Sequence, residues 1–115
     1  MLVGGAGGAD TEVPKVTNLR AEPGRFCAVR SSTCTNPGTR IRFNVSTGAT
    51  VTGNIWPRRE NLKGYVEFRR HFNAGPNSIR MNDRRLTPGR WTFKIQGLNS
   101  VGSGTTAIVD VRVVK

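Results

Sequence analysis

Along most of this chain apolar side chains recur at every second position, and that period limits the fold class more than any other feature. In "TRIRFNV" (39–45), Ile41, Phe43 and Val45 fall on one side and Arg40, Arg42 and Asn44 on the other. "RWTFKIQGL" (90–98) repeats the pattern, with Trp91, Phe93 and Ile95 set against Thr92, Lys94 and Gln96. In "TAIVDVRVVK" (106–115), Ala107, Val109, Val111 and Val113 alternate with Ile108, Asp110, Arg112 and Val114. Successive side chains of a strand point to opposite faces, so this period specifies strands with one face in a core, whereas a helix needs a period of about 3.6.

Weaker strand patterns lie at 15–19, 26–29, 50–56, 65–72 and 77–81. Turn chemistry separates them: Pro23-Gly24, Asn36-Pro37-Gly38, Gly75-Pro76-Asn77, Asn82-Asp83, Pro88-Gly89 and "NSVGSG" (99–104). Seven or eight short strands at this spacing predict an all-β, two-sheet antiparallel sandwich, and no segment carries an amphipathic helix pattern. The side chains expected to pack inside are Phe43, Val45, Trp56, Phe68, Trp91, Phe93, Ile95, Val109 and Val111. A chain of 115 residues makes one domain with a modest core. None of its apolar runs reaches the ~20 residues a membrane helix needs.

"MLVGGAGGAD" (1–10) carries four glycines and reads as a flexible arm, residues 1–12, ahead of a domain at 13–115. Two roles fit it. It has the small residues of a signal-peptide tail with a cut after Ala9, although the charged and long apolar regions of a signal are missing. Alternatively it is an assembly arm, with Leu2, Val3, Val13 and Val16 adding a strand to an exposed edge of a neighbouring copy. Repeated head to tail, that self-association does not close and makes a filament.

Both cysteines, Cys27 and Cys34, lie in "RFCAVRSSTC" (25–34). Zinc takes about four ligands, and this chain adds only His71 to the pair. The spacing is not that of a C-x-x-C redox motif. A disulfide or a reduced pair remains; we expect the disulfide, closing a small loop and contributing about 2–3 kcal/mol. Disulfides persist outside the cytosol, which points to a secreted or cell-surface protein.

Eighteen Lys plus Arg against seven Asp plus Glu give a net charge of +11, a field that attracts polyanions. The richest mixture of cations and aromatics is "WPRRENLKGYVEFRRHF" (56–72), whose Arg58, Arg59, Lys63, Arg69 and Arg70 are the candidate polyanion-binding residues. Export favours acidic cell-wall or surface polymers over nucleic acid as the partner. Nothing groups residues for catalysis. His71, between Arg70 and Phe72, has no nucleophile in its pattern, and Glu60 and Glu67 belong to no carboxylate pair. No enzyme activity, cofactor or metal is expected. The sequon Asn44-Val45-Ser46 matters only in a glycosylating host.

The stretches "VTNLRAEPGRFC", "PGTRIRFNVSTGATVTGNI", "LTPGRWTFKIQGLNSVGSG" and "VRVVK" resemble the immunoglobulin-like (fibronectin-III-like) β-sandwich modules of secreted actinobacterial proteins. Those modules carry a "GTRIRF-L-S-ATV" pair of strands and an "LxPGRYxxxxxAxDxxGN" hairpin. The matches run from Gly38 to Val51 and from Leu86 to Gly102, within a resemblance covering about residues 13 to 115. Trp91 stands where the modules have Tyr, and "GLNSVGSG" replaces their acidic turn, which weakens the case for a calcium-linked loop there. The resemblance implies an Ig-like sandwich, export, and a role as spacer, adhesive unit or wall appendage without chemistry of its own. The expected function is therefore a non-catalytic extracellular structural or adhesive module. It would either self-assemble through its arm or act as a monomer on acidic polymers.

Overall fold

In the computed structural model, which describes residues 12–58 and 65–115, the alternating segments form eight strands. In chain order they are β1 (Val16–Glu22), β2 (Arg25–Cys27), β3 (Thr39–Val45), β4 (Ala49–Pro57), β5 (Tyr65–Phe72), β6 (Gly75–Met81), β7 (Gly89–Leu98) and β8 (Ala107–Val114). They divide into a three-stranded sheet, β1-β3-β6, and a five-stranded sheet, β2-β8-β7-β4-β5, packed on each other as a β-sandwich. Among the described residues no helix is long and apolar enough to cross a membrane.

The alternation does the sorting between core and solvent. β3 buries Ile41, Phe43 and Val45, β7 buries Trp91, Phe93 and Ile95, and β8 buries Val111 and Val113, each set against the facing sheet. Phe68 and Val109 are partly buried and pack against this cluster. Trp56 does not, contrary to expectation. The inward phase of β4 is set by Ala49, Val51, Gly53 and Ile55, so Trp56 turns outward, 43% exposed, with Lys94 Nζ 5.5 Å from its ring centre.

Within the core Phe68 lies 6.5 Å from Phe43 and 6.2 Å from Phe93, stacked on both, and meets Phe72 edge-on at 5.8 Å. A register shift in the β4–β5 pair between Gly53 and Asn54 leaves Gly53 directly opposite Phe68.

All pairings are antiparallel except one. β2 runs parallel to β8, with Arg25 opposite Arg112, Phe26 opposite Val113 and Cys27 opposite Val114. The cause is a crossing: at the cis Glu22–Pro23 peptide the chain leaves the first sheet and continues in the second. Thr39 Oγ1 donates to the Pro23 carbonyl at 2.5 Å and the Arg112 amide to the Gly24 carbonyl at 2.8 Å, which fixes that crossing.

The start of the described chain is built into the sandwich. Pro14 is buried against Gly97 and Gly104, where a Cβ on Gly104 would overlap the Pro14 carbonyl oxygen and one on Gly97 would lie 2.9 Å from the Pro14 ring. Asn99 Nδ2 donates to the Glu12 carbonyl at 2.8 Å. Val16 is buried opposite Val45 of its own chain, and Val13 is half-buried beside Gly102. In this chain Val16 is thus packed into its own sandwich and Val13 is partly covered. Leu2 and Val3 lie outside the described residues.

A cationic face as candidate functional site

The cations singled out in residues 56–72 do not gather in one place. Arg58 Nη1 lies 2.9 Å from Asp110 Oδ2, while the other Asp110 oxygen accepts from Thr92 Oγ1 at 2.9 Å, so its charge is matched locally. Arg69 pairs across the sheet with Thr52, six residues along β4 from Arg58 and so about 20 Å away at strand rise. Arg69 and Arg70 are consecutive strand residues and project to opposite faces. Arg70 lies over the Phe72 ring, 4.8 Å from its centre. Arg59 and Lys63 lie outside the described residues.

A different set converges. On the outer face of β1-β3-β6 the register sets Arg42 between Arg20 and Ser78, and Arg40 between Glu22 and Arg80. Among the described residues, four arginines thus share one three-stranded face with a single carboxylate. Glu22 Oε2 accepts from Arg20 Nε at 3.1 Å, and Glu22 Oε1 pairs with Arg42 Nε. The Arg20 guanidinium, with Arg42 beside it, holds the Glu22 carboxyl below its ordinary value of 4.5. Being half exposed, these pairs add little to stability.

Arg40 and Arg80 stand directly opposite each other, an arrangement of like charges that destabilises a sheet. Hydrogen bonds hold them in place. Arg40 Nη1 donates to Ser78 Oγ at 3.3 Å, and Arg80 Nη2 donates to the Pro37 carbonyl at 2.6 Å and to Asn36 Oδ1 at 3.4 Å.

Two hollows open on this face and share Arg42. One, of about 160 Å³, lies between Arg20, Arg42, Asn44 and Asn77. The other, of about 440 Å³, sits at the seam where the chain crosses between sheets, and Arg25, Arg40, Arg42 and Arg80 line it together with Glu22 and Thr39. Cys27, one end of the disulfide, and Asn36 and Gly38, which follow the loop it closes, also line it. Cys27 and Cys34 form the disulfide, with Cα atoms 6.1 Å apart, and the Gly38 amide donates to the Cys27 carbonyl at 2.7 Å.

Sequence reasoning did not single out Arg20, Arg25, Arg40, Arg42 or Arg80 as a site. The available signal was the outward phase of Arg40 and Arg42 in "TRIRFNV"; the register that adds Arg20 and Arg80 was not. No group of three or more His, Cys, Asp and Glu side chains among the described residues is placed to hold a metal ion. What the face offers is guanidinium donors in excess of acceptors, which is the chemistry of oxyanion binding. No family model, curated protein or solved structure matches this chain.

Proposed function

We propose that this chain is an exported, non-catalytic Ig-like module that adheres to acidic surface polymers through the outer face of β1-β3-β6. The observation that carries the reading is the excess of arginine on that face among the described residues: Arg20, Arg40, Arg42 and Arg80 against Glu22 alone. The positive field of the whole chain would draw a polyanion in, and this face would hold it.

The strand order supports the Ig-like part. β1-β3-β6 opposite β8-β7-β4-β5 follows the plan of strands A, B and E opposite G, F and C with one added edge strand, and β2 is a detached continuation of the first strand. The disulfide departs from that plan, since it ties β2 to the following loop instead of bridging the sheets. It supports export, because such bonds persist in oxidising compartments.

Assembly through strand donation is the second reading, and the sheet edges argue against it. β6 carries Pro76 and Arg80, and β5 carries Arg69 and Arg70. β1 is broken by a register shift between Thr17 and Arg20 with Asn18 at φ 53°, and β2 has only three residues. Proline, charge, irregularity and shortness are the features by which edges avoid pairing with another chain.

Sedimentation of the full chain, with and without polyphosphate and polygalacturonate at rising salt, tests both readings. A monomer whose polymer binding weakens with salt, with a log–log slope that falls by about one for each arginine removed from this face, supports adhesion. Polymers formed without ligand, or binding indifferent to these arginines, would overturn it.

A further inference from the structure

The larger hollow has a more specific shape than a positive field requires. We infer that it seats one phosphate group of a phosphate-bearing polymer, held jointly by Arg25, Arg40 and Arg80; this rests on the adhesive reading above. Three arginines from three strands line it, Arg40 and Arg80 from the first sheet and Arg25 from the second. No carboxylate among the described residues pairs with any of the three.

The same face shows why the seat favours phosphate over carboxylate. Glu22 spends its two oxygens on two arginines, Arg20 and Arg42, and is then used up. A tetrahedral phosphate offers further oxygens and charge, and the planar guanidinium fork matches it in two-pronged fashion. A third arginine is then well matched. The volume, about 440 Å³, lies within the range of small-ligand sites and leaves room for the sugar or polyol next to the phosphate.

The seat is also held ready. Arg80 is fixed to the Pro37 carbonyl, the buried Thr39 hydroxyl pins the Pro23 carbonyl, and the disulfide anchors Cys27, which lines the hollow. A wall ordered in advance loses less freedom on binding.

Calorimetry on the full chain would compare polyphosphate with polygalacturonate at equal charge concentration and ionic strength. We expect polyphosphate to bind about tenfold tighter or more. The pair Arg25→Lys and Arg40→Lys keeps the charge and loses the fork, so it should abolish that preference while leaving the salt slope and polygalacturonate binding in place. The pair Arg69→Gln and Arg70→Gln on β5 should retain the preference. Urea midpoints for each variant would establish that the fold is intact. Equal affinity for the two polymers in the unmodified chain, or a preference that survives the lysine pair, overturns the phosphate seat and leaves the adhesive reading standing. Binding of neither polymer overturns both.

Discussion

Gly53 and Phe68 offer a stringent test of how this core is built. The Phe68 ring covers Gly53 so closely that a Cβ there would lie 2.6 Å from Cζ and 2.8 Å from Cδ2, with Cε2 nearer still. Carbon atoms settle at about 3.5–4.0 Å, so Gly53→Ala forces the ring back by about 1 Å or more. The ring has little room to yield, because Phe43, Phe93 and Phe72 already surround it at 6.5, 6.2 and 5.8 Å between centres. Overpacking of this kind costs about 1–3 kcal/mol. Alanine recovers about 0.5–1 kcal/mol by narrowing the unfolded ensemble. The net expectation is a loss of about 1–2 kcal/mol, read as a lower urea midpoint with an unchanged slope. The decisive measurement is the double-mutant cycle. With Phe68→Ala in the background the clash is gone, and Gly53→Ala should become neutral or stabilising. An equal cost of Gly53→Ala with and without the Phe68 ring would refute the packing described here.

Glu22→Gln should tighten polyanion binding at neutral pH, because it releases Arg20 and Arg42 from their shared partner; titration of polyphosphate into the variant checks this. The same group gives a pH dependence with a definite sign. Its folded value is depressed below 4.5, so its contribution to stability is present above that pH and fades as pH falls through the lower folded value. Over that same descent, affinity for a polymer that stays charged in acid should rise. Replacing Cys27 and Cys34 together by serine should cost about 2–3 kcal/mol in a urea titration and also reduce the preference for phosphate, since the bond anchors Cys27, which lines the hollow.

Much of the sandwich was legible because strands β3, β7 and β8 alternate cleanly and bury the face that alternation names. β4 was harder to read, since Gly53 interrupts its apolar set and the aromatic Trp56 looks like core. Only the shared phase of Val51 and Ile55 reveals that Trp56 must turn outward. The parallel β2–β8 pair was not legible, because it joins segments more than eighty residues apart through a strand of three residues. Val13 and Val16 read as part of an arm because nothing local shows the slot that Gly97 and Gly104 make for Pro14. The cationic face has the same origin. Arg40 and Arg42 are visibly outward in sequence, but their union with Arg20, Arg25 and Arg80 is a product of register and of the crossing between sheets.

That crossing also bears on tension. The described chain enters beside the β7–β8 turn, where Pro14 is clasped, while β8 ends at Val114, at the far end of the strand from Ala107. A pull between Pro14 and Val114 drags β1 and β2 one way and β8 the other. Because β2 and β8 are parallel, the load meets them in shear. The contacts Arg25–Arg112, Phe26–Val113 and Cys27–Val114 must then yield together and cannot open one at a time. A three-residue strand of modest equilibrium worth becomes a mechanical latch, placed beside the seam through which the module would grip its polymer.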